Sequence, residues 1–352
     1  MRNHEEYLLK TGRLPVLSIS ILSLLFLVSS VMAHAPLGSG DNESIDTATV
    51  IPEPTKSWAI YAELHSDGDA QYYSFNITTG QKVHAMLFKS MRSEESGFTP
   101  RLVIIGPNIT EQGTIPTYVN VTIPSDAHAR VVDLKEPTAM YEPFSPSSFI
   151  SLSDETIDSP VDGTYYVVVY EQSRTPTGGH YGLAIGDRET YTIDEWILIP
   201  LNLMTIYQWE GHSLAFVLTP MIATIIVGFI LITWRFKKQC SLANPMAWLG
   251  AIAGLTFIGT AATTLYQMLA AATSVAVGAE ALITLIFAIV PLAIGLVTLR
   301  LSIKDSSKAS VKKRVYYGIL GFAALFMWAG LIIGPILAIL ASVMPTNLKK
   351  KE

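Results

Sequence analysis

Residues 213–234, SLAFVLTPMIATIIVGFILITW, form an uncharged apolar run long enough to cross the roughly 30 Å hydrocarbon core of a bilayer as a helix. The run divides the chain. Before it lies a polar stretch rich in β-branched and aromatic residues, and after it come three more apolar runs, 246–269, 281–299 and 315–343. Arg235, Lys237 and Lys238 follow it directly, and basic residues beside a span are retained on the cytoplasmic side. The polar half is therefore expected to face outward.

The later loops carry the same signal. Residues 235–245 are basic, 271–280 hold no Lys or Arg, and 300–314 hold six basic residues. This alternation predicts a four-helix transmembrane domain over 213–344 with the polar half extracytoplasmic, a multi-pass protein of the cell membrane whose first partner is the lipid bilayer. One feature runs against it: an even number of spans puts Lys349, Lys350 and Lys351 of the 345–352 tail outside.

At the other end, Arg2, Lys10 and Arg13 precede the apolar stretch 14–31, and Val31-Met32-Ala33 supplies a cleavage site. Residues 1–33 read as a signal peptide, with an uncleaved anchor as the alternative; either exports the β-rich region beyond it. The formal charge of −5 and the lack of a basic face exclude nucleic acid as a partner. The single cysteine, Cys240, falls after the first span, so the outer domain holds no internal disulfide and depends on packing or bound metal.

Residues 34–190 carry the punctuation of an all-β domain. Runs 57–64, 70–77, 82–89, 101–105, 164–170 and 180–185 alternate aromatic or β-branched residues and end in Gly, Pro, Asn or Asp turns. An insertion at 107–160, rich in Pro, Ser, Thr and Asp, is expected to hold one strand, 118–123. Such spacing predicts an antiparallel β-sandwich of jelly-roll kind.

The strings DNESIDTATVI, SWAIYAEL, DGDAQYYSFNITTGQ, PRLVIIGP, DGTYYVVVYE and HYGLAIG, from 41 to 186, resemble the bacterial pre-peptidase C-terminal (PPC) domain. Tyr73 and Phe75 after Gly68-Asp69, with Gly80 closing the next turn, match its recurrent strand and glycine turn. Members usually trail a catalytic domain, whereas this copy leads into membrane helices. The resemblance implies a binding or stabilising module, in some members calcium-loaded, with Asp41, Asn42, Glu43 and Asp69 as the oxygen ligands by position; read as residues alone they are ordinary turn formers. Four sequons, at Asn42, Asn76, Asn108 and Asn120, fit a glycosylated surface domain.

Cleavage after Ala33 would leave His34 at the mature N-terminus, where α-amine and imidazole nitrogens together suit Cu(II). Asp126-Ala127-His128 supplies a second imidazole. This pairing is similar to CopC-type copper carriers, which implies copper acquisition or delivery through His34, Asp126 and His128. His65, His84 and His180 are other candidate partners; a solvated or hydrogen-bonded histidine is the plainer reading of each.

Residues 193–209 are apolar but short, open on Asp194 and Glu195, and carry Trp196, Tyr207 and Trp209 near their ends. Within 191–212 they read as an interfacial segment or as a linker packed under the sandwich. The aromatics of 141–146, set between prolines, must pack against the sandwich edge, the membrane-proximal segment or a partner. The four spans contain no Asp, Glu, Lys, Arg or His, which argues against ion-coupled transport. Gly250-xxx-Gly254 and Gly330-xxx-Gly334 allow close helix approach, within the chain or in a homo-oligomer. No nucleophile elbow, zinc-protease, Walker or dinucleotide motif occurs. The expectation is a non-catalytic, membrane-anchored surface protein whose sandwich binds a ligand or partner, another envelope protein or a glycan. Copper handling, or a channel or transporter subunit with an external regulatory domain, are the alternatives.

Overall fold

The computed structural model describes residues 34–65, 68–172, 178–236, 245–304 and 310–344. The expected signal peptide, Cys240, Lys237, Lys238 and the 345–352 tail lie outside the described residues.

Among the described residues, eleven strands form two sheets. In chain order they are β1 (Ala35–Pro36), β2 (Thr49–Val50), β3 (Trp58–Leu64), β4 (Ala70–Ile77), β5 (Lys82–Ser90), β6 (Pro100–Gly106), β7 (His128–Val131), β8 (Thr138–Glu142), β9 (Ser147–Asp158), β10 (Gly163–Glu171) and β11 (Gly179–Ile185). One sheet runs β1-β3-β11-β5-β9-β8 and the other β2-β4-β10-β6-β7. Between them lies a closed core that includes Ile60, Leu64, Phe75, Leu87, Ile104, Val167 and Leu183. Tyr73 and Tyr181 bring hydroxyls into that core and pair them at 2.6 Å, and Tyr181 donates on to Gln71 Oε1.

The 107–160 segment differs from expectation. Residues 118–123 form no strand; instead the Tyr118 hydroxyl donates to the Glu171 and Gln172 carbonyls and Val119 packs on the second sheet. The strands there are β7, β8 and β9, the last twelve residues long and paired along β5. Its serines hide the pattern, for Ser147, Ser148 and Ser153 are buried. The proline-flanked stretch is the tip of the β8–β9 hairpin.

The six-stranded sheet is covered on its inner face and on part of its outer face. Its inner face meets the core, while Tyr61, Phe88 and Ala184 on the outer face receive Trp209. Trp209 ends helix α1 (Ile193–Trp209), which starts at a capping box between Thr192 and Glu195. Then follow α2 (Leu214–Phe236), α3 (Pro245–Ala271), α4 (Ala281–Ile303), α5 (Val311–Phe326) and α6 (Ile333–Val343). Among the described residues, α2, α3 and α4 are long and apolar enough to cross a membrane. Helix α2 is peripheral and shows Ile226, Phe229, Ile230 and Leu231 outward; α3 is central, with Gly250, Gly254, Phe257 and Ala261 buried.

The expected fourth span, 315–343, does not run as one helix. It breaks at 327–332, where Trp328, Gly330 and Leu331 take positive φ, a conformation that ends a right-handed helix. Thr260 Oγ1 receives the Gly330 N–H at 2.6 Å, and Trp328 stacks on Phe287. After the break α6 folds back along α5: a Cβ on Gly321 would touch Ala338, and Arg314 Nε donates to the Ser342 carbonyl at 2.7 Å. The last two helices are thus a helical hairpin, and α6 ends beside the start of α5. Val343 therefore lies at the same end of the bundle as the basic residues of 311–314. Protein packs around the irregular backbone, where Met327, Trp328 and Ala329 are buried.

The small-residue motifs are used within the chain. A Cβ on Gly254 would stand 2.8 Å from the Leu299 N of α4, and one on Gly334 would clash with Thr256 Oγ1 of α3.

Candidate functional site at the sandwich–helix seam

Three pieces of chain meet where the sandwich sits on the helices. The first is the β8–β9 tip. Tyr141 and Thr284 pair their hydroxyls at 2.7 Å, Thr284 Oγ1 also lies 2.7 Å from the Pro143 carbonyl, and the Phe144 ring meets Phe287 edge-on at 5.9 Å. The second is α1. Its Trp196 donates to the Phe326 carbonyl while Trp328 donates to the Trp196 carbonyl, each at 3.0 Å, so α1 is tied to the break between α5 and α6. Trp209 Nε1 donates to the Tyr181 carbonyl at 3.0 Å, and Lys56 Nζ reaches Glu195 Oε1 at 2.6 Å. Helix α1 is therefore packed between sandwich and bundle, beyond either simple reading of 191–212.

The third piece is the turn from α1 into α2. Gly211 takes φ +95, open to glycine at little cost, and the turn sets Glu210 and His212 near one another, with Glu210 Oε2 3.9 Å from His212 Nδ1. Glu210 Oε1 accepts the Ser148 N–H at 2.7 Å. Arg92, beside Gly211, spends its guanidinium on the Trp209 and Gln208 carbonyls.

The seam holds ionisable groups out of water. Burial pushes Glu142 up to about 7, against the Phe144 N–H that its carboxylate accepts, with Glu189 adding to the rise. Burial pushes Glu210 up to about 8. Burial drives His34 the other way, to about 4, helped by the charge of His84. Desolvation, then Glu142 and Glu210, raise the Tyr61 phenol. His34 and Glu142 line one small cavity of about 40 Å³ with Tyr61, Asn202 and Trp328. Glu210 and His212 line a larger cleft of about 560 Å³ with Phe216, Tyr266 and Leu269.

The residues nominated from sequence fall elsewhere or apart. His34 Nδ1 lies 2.5 Å from Ser57 Oγ beside β1, an edge of the six-stranded sheet. His128 starts β7, an edge of the other sheet, and pairs with Glu111 at 3.0 Å. Arg130 of β7 reaches Glu155 of β9 at 3.2 Å, which sets the β7 edge under the side of the first sheet away from β1. Asp126 is exposed in the turn before β7. The expected copper trio is therefore not assembled. Of the other histidines, His84 pairs with Asp154 and His180 with Glu95, while His65 stands 3.9 Å from Glu63. Asp41 and Glu43 point to solvent, Asn42 is buried with its amide on the Tyr72 carbonyl, and Asp69 accepts from the His65 N–H. No group of three or more His, Cys, Asp or Glu able to hold a metal occurs among the described residues. Of the sequons, Asn76, Asn108 and Asn120 are exposed and Asn42 is buried at 1% exposure, which leaves no room for a glycan at Asn42.

No family model matches the chain, and no curated protein matches it. Among solved structures it is similar to the pre-peptidase C-terminal domain of a collagenase from Bacillus anthracis, at 15% identity and TM-score 0.22, over 39% of this chain and 93% of that one. It is also similar to CorA, a surface-associated copper-binding protein of Methylomicrobium album BG8, at 9% identity and TM-score 0.25, over 44% of this chain and 100% of that one. The copper-binding secreted protein MopE of Methylococcus capsulatus matches at 11% identity and TM-score 0.21, over 44% and 100%. At these TM-scores the likeness carries no argument about what this chain binds.

Proposed function

We propose that the chain is a multi-pass cell-membrane protein that holds its β-sandwich outside the cell in one fixed orientation. There the sandwich engages a partner, an envelope protein or a glycan, without catalysing a reaction. The observation that carries this reading is the seat: the Pro143–Phe144 tip is hydrogen-bonded and ring-packed onto α4, and α1 is tied to both layers. A sandwich tethered only for export needs no such seat. Sidedness is supported by the basic loops after α2 and α4 and by the return of α6 toward Arg314. The non-catalytic part rests on the absence of any nucleophile motif in the sequence.

The copper alternative is not carried forward, because His34 and His128 have separate partners on separate sheet edges. The channel alternative has no Asp, Glu, Lys, Arg or His in α3 or in the apolar part of α2 to support it.

The test is labelling of intact cells with a membrane-impermeant amine reagent. Lys82, exposed on the sandwich, should be modified while Lys312 is modified only after permeabilisation. Labelling of Lys312 with Lys82 protected would overturn the reading.

A further inference from the structure

The end of the bundle away from the sandwich gathers cations that no acid answers. Among the described residues it carries Arg300 and Lys304 at the close of α4, and Lys312, Lys313 and Arg314 in the first turn of α5, with no Asp or Glu. The linking residues 305–309 add Asp305 and Lys308, one of each sign. The fold draws the two sets together: Lys313 Nζ donates to the Lys304 carbonyl, and one turn deeper Ser302 Oγ lies 2.9 Å from the Tyr317 hydroxyl. Arg314 gives its Nε–H to the Ser342 carbonyl, a neutral acceptor. Arg300, Lys304 and Lys312 are exposed.

Local electrostatics accounts for only part of this set. The negative end of the α4 dipole favours Arg300 and Lys304, whereas the positive end of the α5 dipole opposes Lys312, Lys313 and Arg314. Like charges held together repel, so the arrangement calls for an anion. The neighbouring side chains say of what kind. On α4, Ile289 and Leu296 are 59% and 54% exposed and share a helical face with Arg300 by their spacing. On α5, Val315, Ile319 and Phe322 are exposed along one face and run down from beside Lys312. Helix α4 is long and apolar enough to cross a membrane, so its stripe meets hydrocarbon. The anion that answers these cations and also covers the stripes above them has a charged head on an apolar body.

We propose that this end of the α4–α5 pair binds an anionic phospholipid, with Arg300, Lys304 and Lys312 around the phosphate head and the acyl chains along the two stripes. Clustered Lys and Arg beside a span attract anionic lipid heads in general; here the crowding against the α5 dipole and the stripes that end on the cations give the site its place. A free phosphate or an acidic segment of a soluble partner would meet the cations and leave the stripes uncovered. The assignment rests on the proposed placement of the helices in a bilayer, but not on which side of it the sandwich lies.

The experiment titrates the full chain, in a neutral detergent, with phosphatidylglycerol or phosphatidylcholine of the same acyl chains and counts bound lipid by native mass spectrometry. Phosphatidylglycerol is expected to bind about tenfold more tightly, and the preference should shrink as ammonium acetate is raised from about 0.05 to about 0.5 M, because salt shortens the reach of the cations. Arg300→Gln/Lys304→Gln/Lys312→Gln should bind both lipids equally, while Lys82→Gln on the sandwich should match the parent. The salt series on the parent keeps the test open if the triple variant does not fold. Equal binding in the parent would overturn the assignment and leave the cations to orient the helices only. A preference that ignores salt, or survives in the triple variant, would overturn it too. Full displacement of the lipid by millimolar inorganic phosphate or by a glutamate-rich peptide would replace it with a site for soluble anions. Failure of the lysine labelling in intact cells would reverse the face of the membrane and leave these results unchanged.

Discussion

The sandwich interior and the seam beneath it are both buried, yet they treat polar groups in opposite ways. In the interior the phenols of Tyr73 and Tyr181 pair with each other, and the pair ends on Gln71. At the seam Glu142, Glu210 and His34 are buried as potential charges without counter-ions. The first arrangement is indifferent to pH and serves one fold. The second costs stability whenever a carboxyl ionises, and that cost is retained where two layers meet a cleft. The comparison marks the seam as the part of the molecule whose state can change.

The largest expected effect removes the anchor shared by both regions. Trp209→Ala deletes edge-on packing with Tyr61 and Phe88 and two hydrogen bonds to sheet carbonyls. It should cost about 3–5 kcal/mol in denaturant unfolding and open residues 187–192 to limited proteolysis. If proteolysis there is unchanged, the sandwich is held by the hairpin tip rather than by α1.

Next comes the pH response. Glu142 and Glu210 have native pKa values raised above their ordinary one, to about 7 and about 8. Their contribution is full below the unfolded carboxyl value, about 4.3, and is lost as pH rises through 7 and 8. His34 has the opposite sign: lowered to about 4, it contributes above the unfolded value of about 6.5 and loses that contribution as pH falls toward 4. Thermal unfolding followed from pH 4 to 9 should show stability falling from near pH 5, partly offset by His34 up to about pH 6.5, and levelling off above pH 8. In the double variant Glu142→Gln/Glu210→Gln the alkaline decline, on the order of a few kcal/mol, should flatten. A decline that persists in the double variant would assign the pH response to other groups and erase the contrast between seam and interior.

A smaller loss tests the hairpin tip alone. Thr284→Val keeps the shape of the side chain but leaves the Tyr141 hydroxyl and the Pro143 carbonyl without their partner, at about 1–3 kcal/mol. The loss should be smaller in a Tyr141→Phe background, where one of the two partners is already gone, so an undiminished loss there would contradict the seat.

How much of this was legible in the sequence follows the same division. Six runs with period-two alternation, such as 57–64 and 70–77, became β3, β4, β5, β6, β10 and β11 nearly to the residue, because alternation reports a sheet face directly. Strand β9 was hidden, since its serines line a buried face: Ser147 pairs its hydroxyl with Ser145, while the Ser153 hydroxyl is buried without a partner. The α5–α6 hairpin was hidden for another reason. Hydropathy counts Trp328 and Leu331 as apolar and cannot register their left-handed backbone. The cleft was missed because Glu210 and His212 resembled ordinary polar residues at the mouth of a span. Their spacing around Gly211, Glu-Gly-His ahead of an apolar helix, was the available signal. The copper trio is not brought together in the fold because pairing through sequence motifs ignores which sheet edge each residue reaches.

The smallest effect belongs to the sandwich interior, and it is the sharper test of the contrast. Tyr73→Phe removes one hydroxyl from a chain of three groups, but Tyr181 keeps its bond to Gln71, so no donor is stranded. The cost should be about 0.5–1.5 kcal/mol. It should also be constant between pH 5 and 9, because burial pushes Tyr73 up to about 12 and raises Tyr181 well above its ordinary value, so neither phenol ionises in that window. The measurement is the difference in unfolding free energy between variant and parent at several pH values. A difference that grows with pH would mean that the interior phenols are coupled to the carboxyls of the seam through Tyr61 and the shared strand β3. The two regions would then be one titrating unit, and the separation between a passive core and a responsive seam would have to be abandoned.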